Sequence, residues 1–353
     1  MGSASAPTVP WSEREAAHMR RALEVAERGR GRVSPNPLVG CVLVRDGDVV
    51  AEGWHDHLGG LHAEQMAIHD AEARGLATNG VTAYVTLEPC NHFGRTPPCT
   101  EALLWAGVNR VVIAHEDPNP NVRGSGADLL REQGVNVETG LLRDEAGLQM
   151  RSFLHWCGTR RPWVTVKMAV DANGSVDDRS DRPGRFTSEA CLDEVHRLRR
   201  DCDAILVGSS TVLRDDPSLT VRRVEADRQP RRIVLDGRGR VPSDAKVLDD
   251  AATTLLLQKD VNLNRLLDRL GDEEVQRLLV EGGPTTVHRF LREGLVNELL
   301  LVRSTVVHDE GVPSNLSHDL LAHAGLIRGP DQRWGDEVVE VWTRSTAATM
   351  QRV

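Results

Sequence analysis

From Gly40 onward the chain alternates short β-branched runs with amphipathic stretches. GCVLVRDGDVVAEGWH is followed by HAEQMAIHDAEARG, TAYVTL, PCTEALLWAG, NRVVIAH, GADLLREQG and VNVET. Each switch from period two to period 3.6 marks a strand handing over to a helix. Such a series folds as a sheet with helices laid on its faces, because each helix stripe must be buried against the sheet. Ahead of it, SEREAAHMRRALEVAERGRG predicts a helix from Ser12 to Arg28, capped by Ser12 and ended at Gly29. Asp46–Gly47 predicts a hairpin turn. The first half is therefore expected to be a three-layer α/β domain. DEAGLQMRSFLHWCGTRRP reads as its last helix, running into a polar, proline-ended linker. A second alternating series follows, from WVTVKMAV through SEACLDEVHRLRRD, AILVGSS, RRIVLD, LLVEGG and NELLLVRSTVV to EVVEVWTR. At 353 residues the chain is long enough for two domains. The boundary is expected near Thr159, giving 1–158 and 159–353.

Composition narrows the function classes. A net charge of −9 argues against a general nucleic-acid binder, and 3% aromatic residues leave little for base stacking. An anionic small molecule is not excluded, since a few arginines and backbone N–H groups suffice to hold one. No run approaches a membrane span, and MGSASAPTVPW has no apolar signal core. The cytoplasm is the expected location, where disulfides are disfavoured. The six cysteines, Cys41, Cys90, Cys99, Cys157, Cys191 and Cys202, are accordingly read as thiols, core residues or metal ligands.

The stretch LEPCNHFGRTPPC carries two of them, Cys90 and Cys99, each directly after a proline and separated by eight residues. Alone they could be packing residues. Upstream, His62-Ala63-Glu64 opens a predicted helix. H-x-E followed by P-C and a second cysteine is the zinc deaminase arrangement. One imidazole and two thiolates hold zinc with a position left open for water. A carboxylate that is not a ligand must then carry the proton to the leaving ammonia, and Glu64 is suited to this. His62 and both cysteines are read as lying at or near helix starts, where N–H groups and the helix dipole favour thiolate. Two readings compete with this one. A closed structural zinc site would add a fourth ligand such as His92, and a zinc-stabilised binding module would lack catalysis altogether.

The eight-residue insert departs from the common deaminase spacing. With SPNPLVGCVLV, HAEQMAI, TLEPCNHFGRTPPC and EDPNPNVRGSG in the first half, the chain resembles one branch closely. RPWVTVKMAVDANG, EVHRLRRDCDAILVGSSTVLRDDPSLTVR and LLVEGGPT extend the resemblance through the second half, to about Arg303. The branch is the bifunctional riboflavin-biosynthesis enzymes, in which diaminohydroxyphosphoribosylaminopyrimidine deaminase is fused to 5-amino-6-(5-phosphoribosylamino)uracil reductase. The resemblance implies a cytidine-deaminase-like α/β/α domain followed by a dihydrofolate-reductase-like α/β domain. It implies Zn2+ on His62, Cys90 and Cys99, with Glu64 as proton shuttle. Asn36 is read either as a pyrimidine contact or as a turn residue, and His92 and Arg95, in the insert, either as substrate contacts or as residues that hold the loop. The implied second reaction is NADPH reduction of the ribosyl group to ribityl. Ala169, Thr211, Asp215 and Gly283 match the family's cofactor positions, and Arg199, Leu219, Arg222 and Glu281 its substrate positions. A homo-oligomer is the expected assembly.

Three departures bear on the second half. The family's S-L-D-G is Asp171-Ala172-Asn173-Gly174 here, and S-x-W-I-T is Pro183-Gly184-Arg185-Phe186-Thr187. Pro183 thus stands at a substrate position and Arg185 at a cofactor position, where Arg185 is assigned to the 2′-phosphate. The segment after Arg303 also reads unlike the family. The alternative function is a deaminase whose reductase domain is degenerate or repurposed in a related pyrimidine pathway.

Overall fold

The computed structural model describes residues 11–92, 97–118, 125–180, 184, 186–308 and 310–344. The chain divides into two compact units between Leu154 and His155. Arg95, Pro183 and Arg185, assigned above from the resemblance, lie outside the described residues.

The first unit contains α1 (Glu13–Ala26), β1 (Gly40–Arg45), β2 (Asp48–Trp54), α2 (Ala63–Ala73), β3 (Thr82–Leu87), α3 (Cys99–Trp105), β4 (Arg110–His115), α4 (Ser125–Glu132), β5 (Asn136–Thr139) and α5 (Arg143–Gln149). A further helix, α6 (Arg151–Thr159), carries the chain across the division. Ser12 caps α1 in a reciprocal capping box with Glu15. Asp46 and Gly47 both have positive φ, 51° and 84°, which suits the tight turn between β1 and β2. The sheet order is β2-β1-β3-β4-β5, antiparallel at β1 and parallel from β3 to β5.

Successive residues of a strand face opposite ways, so the sheet buries a core on each face. Leu43, Val85 and Ile113 pack with Ala67, Leu103 and Leu130 on one side. Val42, Tyr84 and Val112 pack with Met19, Leu23 and Met150 on the other. This is the three-layer arrangement expected. The single helix read over DEAGLQMRSFLHWCGT is instead two, α5 and α6, because the chain turns at Met150, whose side chain is buried in the second core.

The second unit contains β6 (Trp163–Val170), β7 (Ser175–Asp177), α7 (Glu189–Arg200), β8 (Ala204–Gly208), α8 (Ser209–Asp215), β9 (Arg231–Asp236), β10 (Thr254–Gln258), α9 (Leu263–Asp272), β11 (Arg277–Val280) and α10 (Pro284–Arg292). After these come β12 (Glu298–Arg303), β13 (Val312–Pro313), α11 (His318–His323), β14 (Leu326–Arg328), β15 (Gln332–Trp334) and β16 (Glu337–Arg344). The main sheet runs β10-β9-β8-β11-β6-β12-β16-β14. Strands β10 to β12 along that order are parallel, and β16 is antiparallel to β12. In an open parallel sheet the ligand site forms outside the carboxyl ends of the strands. The residues after β6, β8, β9 and β11 are therefore the ones to examine.

One close approach positions the functional helix of the first unit. A Cβ on Gly53 of β2 would lie 2.2 Å from both the Ala63 carbonyl and the Ala67 nitrogen. The helix backbone itself meets the strand, so no side-chain movement relieves the clash. Gly53→Ala is expected to push α2 outward, lower stability by about 1–3 kcal/mol and reduce bound zinc and deamination together. Metal analysis, thermal unfolding and ammonia release measure the three effects, and reductase turnover should be unchanged.

Candidate active sites

In the first unit, α2 begins at the metal-binding motif. His62 is its N-cap, and its backbone N–H is held by the Gln65 side chain at 3.1 Å. Cys99 is the first residue of α3. Cys90 sits in the loop after β3 rather than at a helix start, and its sulfur accepts the Cys99 N–H at 3.4 Å. His62 Nδ1 lies 3.2 Å from Cys99 Sγ and 3.5 Å from Cys90 Sγ. All three ligand atoms fall within 4.8 Å of one another. Zinc bonds of about 2.0 Å to nitrogen and 2.3 Å to sulfur give a tetrahedron with edges of roughly 3.5 to 3.8 Å. The donor set and its spacing therefore fit Zn2+. Among the described residues this is the group of histidine, cysteine and acidic side chains close enough to share a metal. His92 is described, exposed and outside that group, so the closed four-ligand site is not formed by it.

The electrostatics are those of a ligand cluster. The Cys99 thiol and the His62 ring draw the Cys90 thiol down to about 4, against burial. The hydrogen bond with Cys90, followed by burial, pushes the Cys99 thiol up. Glu64, one residue into α2 beyond Ala63, is 3% exposed. Burial, followed by the charge of Cys90, raises its carboxyl above the usual glutamate value. A buried carboxyl that is not itself a ligand, beside a metal site, is placed to take and give a proton.

Two residues absent from the sequence reading complete the surroundings. His55 is buried. Its Nδ1 donates to the Leu61 carbonyl at 2.9 Å, so Nε2 is free to accept from the Asn36 amide at 3.0 Å. Its ring stands edge-on to His62, with centroids 5.4 Å apart. Asn36 is thus tied to the metal site through His55. Glu88, also buried, accepts from the Asp117 and Ala127 N–H groups, each at 3.1 Å. It thereby joins the loop before Cys90 to the first turn of α4. There Gly126 lies in the first turn of α4, and a Cβ on it would lie 2.0 Å from the Pro89 carbonyl. Nothing but the histidine in GWH and the glutamate in LEPC signals these two in sequence.

In the second unit most of the assigned residues gather at the carboxyl edge. Glu281 and Gly283 follow β11, whereas Thr211 and Asp215 lie on α8, directly after β8. Gly283 caps α10, with Pro284 at its first position, and a Cβ on Gly283 would lie 3.9 Å from Thr211 Oγ1. Ala169 is half-buried on β6, the strand beside β11. Arg199, from α7, makes a two-pronged ion pair with Glu281 at 2.7 and 2.8 Å. Their side chains are only 12% and 10% exposed. Burial would raise the Glu281 carboxyl, but Arg199, with Lys167 and His196 nearby, holds it below the usual value. Arg199 is thereby neutralised, and Arg222 is the exposed guanidinium of the set. Leu219 sends its side chain into the core with Ile205, Val207 and Val234. Only its backbone, held at φ 52°, is left for a ligand. Lys167, missed in sequence, acts on both Glu281 and Cys191.

Asp171 has a structural task. It is fully buried and accepts the N–H groups of Asn173, Ser175 and His308. Those bonds outweigh burial and keep its carboxyl low. It locks the turn after β6 to the segment after Arg303, which also reaches Phe186 through the Ser304 hydroxyl and the His308 ring.

Both halves of the chain match known proteins. The family model for the cytidine and deoxycytidylate deaminase zinc-binding region matches residues 12–115. The RibD C-terminal domain matches residues 162–307. The chain is 38% identical over 316 residues to the riboflavin biosynthesis protein RibD of Aquifex aeolicus, covering 84% of this chain and 88% of that one. It is 39% identical over 317 residues to RibD of Escherichia coli K12, covering 80% and 86%. The solved structure of Acinetobacter baumannii RibD superposes with a TM-score of 0.84 at 31% identity, covering 95% of this chain and 99% of that one. A diaminohydroxyphosphoribosylaminopyrimidine deaminase/5-amino-6-(5-phosphoribosylamino)uracil reductase from Thermotoga maritima superposes with a TM-score of 0.86 at 32% identity, covering 94% and 98%.

The Arg199–Glu281 pair yields a pH prediction. The folded carboxyl titrates below its ordinary value of 4.5. The stabilisation is therefore full above that value and is lost as pH falls through the lowered one. Glu281→Gln leaves Arg199 buried without a counter-charge, which is expected to cost about 3 kcal/mol. Urea unfolding of the variant between pH 3 and 7 should show the loss at neutral pH and a flatter acid limb.

Proposed function

The chain belongs to the RibD family of bifunctional riboflavin-biosynthesis enzymes, and from that premise we infer that it carries out two consecutive steps. A zinc deaminase domain over 1–158 removes the 2-amino group of a phosphoribosylated diaminopyrimidinone. A reductase domain over 159–353 then uses NADPH to convert the ribosyl chain to ribityl. The observation that carries the first step is one imidazole nitrogen and two sulfurs within 4.8 Å, beside a buried glutamate.

His62, Cys90 and Cys99 would hold the zinc. When bound, the ion makes a water nucleophilic near neutral pH. Glu64 takes a proton as the ring carbon is attacked and delivers one to the departing amino group, so that water and amine become carbonyl and ammonia. Asn36, kept in orientation by His55, meets the pyrimidine edge. His92 and Arg95, in the insert between the cysteines, are assigned to the substrate's entry side.

In the reductase domain Ala169, Thr211, Asp215 and Gly283 line the NADPH site, with Arg185 toward the 2′-phosphate. The cofactor supplies the hydride, which goes to C1 of the ring-opened sugar. Arg199, Leu219, Arg222 and Glu281, with Pro183, bound the substrate. Arg222 offers a guanidinium fork for its phosphate, while Leu219 contributes through its backbone. The degenerate-reductase alternative is not favoured, since the reductase family model spans 162–307 and Asp171 is accounted for as a turn residue. No helix among the described residues is long and apolar enough to cross a membrane. A cytoplasmic homo-oligomer is the assembly this reading proposes.

Glu64→Gln should abolish ammonia release, by about 100-fold or more, while retaining stoichiometric zinc. Cys90→Ser should lose metal and activity together. A Glu64→Gln protein that is folded and zinc-free would contradict the assigned role. The coupled assay tests the whole: NADPH absorbance should fall with the diaminopyrimidine substrate only when the first step is intact. With the deaminated intermediate supplied directly, it should fall regardless. No oxidation by folded, zinc-replete protein would remove the reductase from this reading.

A further inference from the structure

The segment Ser218–Arg222 joins α8 to the loop before β9 and lies outside the helices and strands. Leu219 is nevertheless held at φ 52°, a conformation that side chains other than glycine adopt only when the surroundings impose it. Three side chains supply the restraint. Arg232, fully buried on β9, donates to the Ser218 carbonyl at 3.2 Å. Gln229 brackets Val221, accepting its N–H at 2.7 Å and donating to its carbonyl at 3.0 Å. His196, on α7 and 2% exposed, accepts the Arg222 N–H on Nδ1 at 3.2 Å.

The last contact is the one with chemistry in it. An imidazole can accept on Nδ1 only when neutral, with its proton on Nε2. The surroundings keep it so: burial, then the charges of Arg199 and Arg222, bring His196 down to about 4. Glu281 opposes this and Arg223 adds to it. His196 and Arg199 stand three residues apart on one face of α7. One helix therefore delivers both the Arg199–Glu281 pair and the acceptor that holds Arg222.

We propose that His196 is a positioning residue of the reductase site, whose neutral Nδ1 fixes the Leu219–Arg222 backbone so that Arg222 meets the substrate phosphate. The proposal rests on the reading that Leu219 and Arg222 contact substrate. His196 itself touches neither substrate nor cofactor.

The test compares two amides in the full-length, zinc-replete enzyme. In His196→Asn the side-chain oxygen can occupy the Nδ1 place. In His196→Gln it reaches toward the Nε2 place instead. His196→Gln should raise KM for the deaminated pyrimidine about tenfold, the worth of roughly one lost hydrogen bond. Its kcat and its KM for NADPH should stay within about twofold, and His196→Asn should restore the pyrimidine KM. Deaminase kinetics in the same protein serve as control. Equal KM values for the two variants, or a loss in kcat alone, would overturn the proposal. Arg222→Ala separates the two layers of inference. If it leaves KM unchanged, the substrate reading of this segment fails. If it raises KM while His196→Gln does not, only the positioning role fails. Should both amide variants unfold the reductase half, nitrogen NMR of histidine-labelled wild type decides. A ring protonated on Nε2 and unchanged from pH 6 to 8 supports the role; a ring protonated on Nδ1, or titrating in that range, refutes it.

Discussion

Two sulfur atoms and an imidazole nitrogen cannot sit within 4.8 Å of one another as anions and base without something to balance them. Without a cation, one thiol takes the charge and the other keeps its proton, which is the opposite movement seen at Cys90 and Cys99. A divalent ion removes that conflict, because both sulfurs can then be thiolates. The architecture of the first unit serves this cluster. Gly53 lets α2 press onto β2 and so sets where His62 and Glu64 begin. Glu88 and Gly126 lock the loop before Cys90 onto α4. Burial that would be costly for Glu64 alone becomes useful here, since it raises the carboxyl above its ordinary value and so favours proton transfer.

The second unit sets a different problem, that of keeping charged side chains together at the carboxyl ends of its parallel strands. Its buried Arg199 is balanced by Glu281, whereas Arg222 lies exposed at the surface. Buried polar groups fix irregular backbone in this unit: Asp171 and His196 accept N–H groups, and Arg232, near the amino end of β9, donates to the Ser218 carbonyl. The departure from the family's serine at position 171 belongs with these, because a carboxylate there accepts three N–H groups and ties in the segment after Arg303.

The elements read most easily from sequence were those with strong periodicity and a terminal signal. Ser12, the Asp46–Gly47 turn and Gly75 sit at or beside ends that the structure reproduces. Less legible was the break at Met150, which local propensity does not require and the core imposes. The span 254–272 carries such signals too, since Asn262 caps α9 and Leu263, Leu266, Leu267 and Leu270 form its buried stripe, yet it holds none of the residues of the site motifs. Within the sites, residues with metal or charge chemistry at a recognisable spacing stood out. His55, Glu88, Lys167 and His196 did not, since each acts by touching a partner distant in sequence.

The sequence by itself determined the ligand types, their order, the carboxylate two residues from the histidine and the presence of two alternating α/β series. Those are properties of residue identity and spacing along the chain. Only the tertiary structure decided which charged side chains are buried against a partner. Arg199 and Arg222 look alike in sequence, but one is consumed by Glu281 and the other stays exposed. Leu219 matches a substrate position by name but spends its side chain in the core. The physical reason is common to all of these: charge, protonation and hydrogen bonding depend on what lies across a few ångströms of folded space, which no spacing along the chain records.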